Sequence, residues 1–113
     1  MAEKKKILLV DDEPDLLDLV KTRLESAGYE VLYLNLGKDV ISTVKEKKPD
    51  LVLLDIMLPD KNGYDICLEL KEDPETASVP VIIFTAKEEW QKDMNALGKF
   101  VKADGYMPKP FEP

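Results

Sequence analysis

The sequence contains no histidine, one cysteine and no long uninterrupted apolar run. Without histidine, the usual general base, the commonest metal-binding side chain and an internal phosphohistidine are excluded. A single cysteine excludes an internal disulfide, and the apolar runs are too short for a secretory signal or a transmembrane helix. We therefore expect no membrane partner, a reducing cytoplasmic location, and chemistry that uses carboxylates, hydroxyls and lysine.

Basic residues are also in the minority. The 16 lysines and arginines are outnumbered by 23 acids, which gives a net charge of −7 at pH 7. Such a charge repels a nucleic-acid backbone, so we expect no direct contact with nucleic acid. The 113 residues suit a single domain over 1–113, and an apolar content of 44% is enough for a hydrophobic core.

Short apolar runs alternate with longer segments of helical character. The runs are Ile7–Val10, Val31–Leu34, Leu51–Leu54 and Val81–Phe84, with a weaker candidate around Tyr106–Met107. Helices are predicted from Pro14 to a stop at Gly28, then over residues 38–47, 64–72 and 88–102. The alternation predicts a parallel sheet covered by helices. The third run shows no polar alternation, which indicates a central strand buried on both faces.

Polar side chains fall at the carboxyl ends of these predicted strands. Asp11 and Asp12 follow the first strand, Asp55 follows the third, Thr85 closes the fourth, and Lys109 lies just beyond the fifth. In an open parallel sheet these ends form one rim with a crevice, so the three carboxylates would share a pocket. Clustered carboxylates either hold protons or are neutralised by a cation. Because the ligands are oxygens without histidine or cysteine, the expected cofactor is Mg²⁺.

Four short motifs contain these rim residues. They are Leu8-Leu9-Val10-Asp11-Asp12-Glu13, Asp55-Ile56-Met57-Leu58-Pro59 with Gly63, Thr85-Ala86, and Lys109-Pro110-Phe111. Together they resemble the signature of response-regulator receiver domains, the CheY-like superfamily of bacterial two-component signalling, and the resemblance spans nearly the whole chain. It implies a flavodoxin-like, doubly wound α/β fold with a parallel five-stranded sheet of order 2-1-3-4-5.

The resemblance also implies what the acidic residues do. Asp55 would accept a phosphoryl group from a sensor histidine kinase or a phosphotransfer protein. Asp12 would bind Mg²⁺ directly, Asp11 would bind it mainly through water, and the backbone carbonyl of Met57 would complete the protein's share. Such a chain is a signalling phosphoprotein rather than an enzyme, because it catalyses only its own phosphotransfer and dephosphorylation.

The remaining motif residues are expected to sense the phosphoryl group. By the resemblance, Thr85 and Lys109 would contact it, and Tyr106 would turn inward when Thr85 moves, which would change the surface offered to a downstream protein or output domain. The bond between Lys109 and Pro110 would be cis and would orient the lysine.

One departure from the family pattern lies at the end of the chain. The pattern continues past Lys109-Pro110-Phe111 into a fifth helix, whereas this sequence stops at Pro113. We therefore expect a C-terminally short domain without the fifth helix. Its open apolar face would be covered by a partner helix or by self-association into a homodimer.

Three alternatives are distinguished by particular residues. A phosphohydrolase with an aspartyl nucleophile would have a second aspartate where Met57 stands, and a flavin carrier would need a glycine-rich phosphate loop after the first strand, where three acids occur. A phosphorylation-independent, receiver-like interaction module stays open, although every phosphotransfer residue is present.

Overall fold

The computed structural model of the chain describes residues 4–98 and 101–109. In this part of the chain, five strands form one sheet. They are β1 (Lys6–Val10), β2 (Glu30–Leu34), β3 (Leu51–Leu54), β4 (Val81–Ala86) and β5 (Gly105–Lys109). The strand order is β2-β1-β3-β4-β5, and every neighbouring pair is parallel. The predicted fold class and strand order are therefore confirmed.

Four α-helices connect the strands in the described ranges. They are α1 (Pro14–Ser26), α2 (Val40–Lys47), α3 (Gly63–Glu72) and α4 (Lys87–Leu97). Pro14 occupies the first turn of α1, as predicted, since its fixed φ suits that position. A 3-10 turn over Gly37–Asp39 precedes α2, so that helix begins two residues later than predicted. None of the helices in these ranges is long and apolar enough to cross a membrane.

The predicted extension of α4 to residue 102 is wrong. The helix ends at Leu97, where Gly98 follows. Glycine is a poor helix former because its backbone loses the most freedom on folding. Farther on, Asp104 is held at the start of β4, since its amide donates to the Val81 carbonyl at 2.8 Å and its carboxylate accepts from the Val81 amide at 2.8 Å. These two hydrogen bonds fix the position of the chain where it enters β5.

The sheet buries a separate core on each face. The core on one face combines α2 and α3 with alternate strand residues, namely Leu8, Val10, Val40, Val44, Val52, Leu54, Ile66, Leu70 and Ile83. The opposite core combines α1 with the other strand residues, namely Ile7, Leu9, Leu17, Val20, Leu53 and Phe84. Strand β3 contributes to both cores, which confirms its predicted central position. Cys67 is packed in the first core, where burial raises the pKa of its thiol to about 11.

A cluster of contacts around Lys71 fixes the amino-terminal ends of β4 and β5. Lys71, at the end of α3, places its ammonium 2.6 Å from the carboxylate of Asp104, just before β5. The same ammonium donates to the carbonyls of Val79 at 2.9 Å and Ala77 at 3.3 Å. One side chain thereby joins α3, the segment leading into β4 and the start of β5.

Candidate functional site

Three carboxylates converge at the carboxyl rim of the sheet, as the strand ends predict. Asp11 follows β1 and is fully buried, Asp55 follows β3 and is buried, and Asp12 is exposed beside them. Backbone bonds fix the two buried positions, because the Asp11 amide donates to the Leu34 carbonyl at 3.1 Å and the Asp55 amide donates to the Val10 carbonyl at 3.0 Å. Each carboxylate offers an oxygen within 4.8 Å of the others.

Lys109 brings the compensating positive charge into the same pocket. As the last residue of β5, it points its ammonium to 2.6 Å from Asp11 Oδ2 and 3.4 Å from Asp55 Oδ2. Glu13 Oε1 lies 3.6 Å from the same nitrogen. The ammonium also lies 5.2 Å from the centroid of the Phe84 ring, within the range of a cation–π contact. The stem of Lys109 is therefore mostly buried while its charge faces the acids.

Burial and the positive charge of Lys109 shift the pKa of Asp55 in opposite directions. Burial raises the pKa of Asp55 above its ordinary value, the charge of Lys109 opposes this rise, and the charge of Asp11 adds to it. For Lys109, burial acts to lower the pKa, but the bond to Asp11 and the charges of Asp55 and Asp11 outweigh it, so its pKa is raised. Lys109 is therefore positively charged at neutral pH and stabilises the carboxylate form of Asp55.

The donor set fits a small hard cation. The three carboxylates offer oxygens within 4.8 Å of one another, and Mg²⁺ is typically bound through one or two carboxylates together with several waters, so these residues could hold it. The carboxylates around the pocket outnumber its single ammonium, so negative charge is left over for a divalent ion to offset. Asp12 faces solvent and is accessible to a hydrated ion.

The loop that follows Asp55 is closed tightly on itself. This β3–α3 loop, Ile56–Asn62, begins and ends in contact, since the Gly63 amide donates to the Ile56 carbonyl at 2.7 Å and Met57 pairs with Asn62 in an isolated antiparallel bridge. A Cβ on residue 63 would lie 2.7 Å from Ile56 Cα and closer still to the backbone of Asp55. Only glycine permits this approach. The side chain of Met57 is 70% exposed, and the metal-binding role of its carbonyl stays a prediction.

Thr85 and Tyr106 lie on the same face of the sheet. Tyr106 pairs with Ile83, and Thr85 is two residues beyond Ile83 on β4, so the side chains of all three point the same way. Thr85 is buried. The Tyr106 ring stacks on Trp90 of α4 with ring centroids 4.5 Å apart and planes at 1°. Among the described residues, the buried Tyr106 hydroxyl finds no hydrogen-bond partner.

Comparison with known proteins decides which family this arrangement represents. Residues 7–113 match the family model for the response regulator receiver domain. The chain belongs to the response regulator receiver family. It is 40% identical over 110 residues to the alkaline phosphatase synthesis transcriptional regulatory protein PhoP of Bacillus subtilis, an alignment that covers 96% of this chain and 44% of PhoP. This receiver therefore spans less than half the length of that relative.

Solved structures of receivers share the fold. The chemotaxis response regulator CheY4 of Vibrio cholerae superposes with a TM-score of 0.87 at 26% identity, covering 98% of this chain and 91% of CheY4. The receiver domain of the sensor histidine kinase PA1611 from Pseudomonas aeruginosa PAO1 superposes with a TM-score of 0.85 at 28% identity, covering 97% and 88% respectively. The latter structure has a magnesium ion coordinated in its active site cleft. The CheY-like fold expected from the motifs is thus confirmed.

The sequence predicts the carboxylate pocket of this receiver, but it does not predict the contact of Glu13 with Lys109 or the stacking of Trp90 on Tyr106. Glu13 was recognised only as part of a motif, although its place as the third consecutive acid after β1 was a usable signal. Nothing in the local sequence indicates that Trp90 stacks on Tyr106. The predicted cis bond before Pro110 lies outside the described residues.

Proposed function

We propose that this receiver accepts a phosphoryl group onto Asp55 in a Mg²⁺-dependent reaction, with a sensor histidine kinase or a phosphotransfer protein as donor. The observation that carries the proposal is the convergence of Asp55, Asp11 and Asp12 with the ammonium of Lys109, which lies 3.4 Å from Asp55 Oδ2. A carboxylate held beside a fixed cation and a candidate metal site is the arrangement that phosphoryl transfer requires.

In the proposed step, the Asp55 carboxylate is the nucleophile. One of its oxygens forms a bond to phosphorus, while the bond from phosphorus to the donor's histidine nitrogen breaks and its electron pair returns to that nitrogen. The raised pKa of Asp55 makes its carboxylate more basic than an exposed one, and Lys109 keeps it ionised. The product is an aspartyl phosphate, so no water or external base takes part in the transfer.

The neighbouring side chains stabilise the charge that moves. In this step negative charge shifts from Asp55 to the phosphoryl oxygens. The Lys109 ammonium stabilises that charge, and the Thr85 hydroxyl donates a hydrogen bond to one of the phosphoryl oxygens. Asp12, Asp11 and Asp55 would hold Mg²⁺, which, when bound, supplies positive charge to the transferring group. The buried position of Asp11 keeps its carboxylate fixed while the reaction proceeds.

The proposed output is a conformational change read by another protein or an output domain. Movement of Thr85 toward the phosphoryl group opens space on the sheet face that it shares with Tyr106, and the ring of Tyr106 follows. The net charge of −7 supports an output through protein contacts rather than direct contact with nucleic acid. Two relatives whose names describe transcriptional regulation or DNA binding are about twice as long as this chain.

The test compares the chain with Asp55→Asn and, as a matched control, with Asp18→Asn on the exposed side of α1. With Mg²⁺ and a small acyl phosphate, intact-protein mass spectrometry should show phosphoryl uptake by the original chain and the control only. Equal uptake by Asp55→Asn overturns the proposal. No uptake by any of the three, together with equal partner capture by Asp55→Asn and the original chain, identifies a phosphorylation-independent interaction module instead.

Turnover separates the receiver from a phosphohydrolase. Because the site stores the phosphoryl group on its own carboxylate, the amount of phosphate released from an external phosphomonoester should stay below one equivalent of protein. Sustained release over many equivalents would show that the chain is an enzyme.

A further inference from the structure

Asp60 makes a bridge that the proposed phosphotransfer does not use. Its Oδ1 accepts a hydrogen bond from the Gly37 amide at 2.8 Å, and its Oδ2 accepts one from the Lys38 amide at 2.8 Å. The two amides lie at the start of the 3-10 turn that precedes α2, more than twenty positions away in sequence. Both oxygens of one carboxylate are thus committed to the backbone of a different loop.

The bridge fixes the tip of the β3–α3 loop. The base of that loop is already closed by the bond between Gly63 and Ile56 and by the pairing of Met57 with Asn62. Leu58, next to Met57, is 8% exposed and packs into the core. With Asp60 tied to the neighbouring turn, the backbone of Met57 is held between two fixed points.

The partner side of the bridge is equally constrained. A Cβ on Gly37 would lie 2.7 Å from Ile66 Cδ1 and 2.9 Å from Lys61 Cβ, so the turn packs directly against the loop and against α3. The strand before this turn is joined to the carboxylate pocket, because the Leu34 carbonyl accepts from the Asp11 amide at 3.1 Å. The bridge therefore connects the loops that follow β2 and β3, and the bond from Asp11 to Leu34 joins the end of β2 to the pocket.

We propose that Asp60 is a positioning residue for the metal site, which holds the Met57 carbonyl at a fixed distance from Asp55 by tying the β3–α3 loop to the Gly37–Lys38 amides. This inference rests on the proposed function, since it assumes that the Met57 carbonyl is a ligand. The amide of Gly37 is also the main reason that the pKa of Asp60 lies below its ordinary range, so the carboxylate is ionised and accepts both bonds at neutral pH.

A purely structural role for Asp60 would have a different signature. If the carboxylate only capped the 3-10 turn, its removal would lower stability and leave Mg²⁺ affinity unchanged. Groups that orient metal ligands through hydrogen bonds typically change metal affinity by about 10- to 100-fold when they are removed. Mg²⁺ affinity is therefore the readout that separates the two roles.

The experiment measures Mg²⁺ binding by calorimetry for the original chain, Asp60→Ala, Asp60→Asn and Asp39→Ala. Asp39 is a matched control because it is exposed, belongs to the same turn, carries the same charge and makes no capping bond with its side chain. We expect about 10-fold weaker binding for Asp60→Ala. Asp60→Asn keeps one acceptor oxygen and should fall between it and the original chain, whereas Asp39→Ala should stay within about 2-fold. Measurement at 0.1 M and 1 M salt removes the effect of a distant charge, since screening shortens from about 10 Å to 3 Å.

Hydrogen exchange of the Gly37 and Lys38 amides gives an independent measurement, and we expect both to exchange at least 10-fold faster in Asp60→Ala. Equal Mg²⁺ affinity for Asp60→Ala and Asp39→Ala in folded protein overturns the inference, as does a difference that disappears at 1 M salt. If the original chain binds no Mg²⁺, the proposed function fails as well, whereas binding that is insensitive to Asp60 defeats only this inference.

Discussion

Replacement of Gly63 by alanine tests the tight closure of the β3–α3 loop. The added Cβ would lie 2.7 Å from Ile56 Cα, whereas ordinary contacts begin at 3.4 Å, so the start of α3 and the backbone just after β3 must separate by about 0.7 Å or more. Neither side can yield by a rotamer change, because the atoms involved are backbone. Overpacking of this kind costs about 1–3 kcal/mol, and stretching the bond from Gly63 to Ile56 adds about 1 kcal/mol.

Thermal unfolding followed by circular dichroism gives the stability effect of this change. A loss of about 2–4 kcal/mol should lower the melting temperature by roughly 10–15 °C for a domain of this size. The matched control is Gly98→Ala at the end of α4, where an added Cβ meets nothing within 4 Å and the backbone is already helical. That variant should melt slightly higher, because alanine loses about 0.4–1 kcal/mol less backbone entropy on folding.

The same displacement should impair phosphoryl uptake, because it moves the backbone of Asp55. A misplacement of about 1 Å can reduce the rate of a chemical step by about 100-fold, so Gly63→Ala should react roughly 10- to 100-fold more slowly at a temperature where it is folded. If Gly63→Ala melts within 2 °C of the original chain and reacts at the same rate, the loop does not approach Asp55 as closely as described.

Three further changes test other parts of the molecule. Lys71→Met should cost about 1–2 kcal/mol of unfolding free energy in urea titrations. Because the bond from Lys71 lowers the pKa of Asp104, the original chain should also lose stability as the pH falls below about 4, and an equally large loss in the variant would contradict this. Asp12→Ala should abolish calorimetric Mg²⁺ binding without lowering the melting temperature, since it relieves repulsion among carboxylates, and unchanged affinity would refute the ligand assignment. Met57→Asn combined with Lys87→Glu should shorten the lifetime of the aspartyl phosphate, because the new groups can orient water, and equal decay of the phosphoprotein would count against that.

The fold and the pocket could be predicted because both follow from positions along strands. An unbroken apolar run such as Leu51–Leu54 indicates a strand buried on both faces, and parallel strands place the residues after them on one rim. Asp11 and Asp55 were therefore expected to meet although 44 positions separate them. The position of Lys109 at the same rim was expected in the same way, whereas its ion pairs with Asp11 and Asp55 were not predicted.

The features that could not be predicted depend on contacts without a local pattern. The carboxylate of Asp60 accepts hydrogen bonds from backbone amides, which every residue except proline has. The sequence therefore does not indicate which residues are its partners. The sequence places the end of α4 too late because the mixed polar and apolar residues 99–102 contain no proline, and Gly98 alone is a weak stop signal. Boundaries of this kind are decided by tertiary contacts such as the Asp104 bonds to Val81.

The stacked pair of Trp90 and Tyr106 gives the chain an intrinsic optical probe. Trp90 is its single tryptophan, so the whole indole emission comes from a ring lying against the aromatic side chain of β5. Helix α4 buries no residue completely, which leaves this ring accessible to a soluble quencher when the stack opens. Displacement of Tyr106 therefore changes both the emission and the quenching of one fluorophore, and events at the carboxyl rim can be followed in real time without a label.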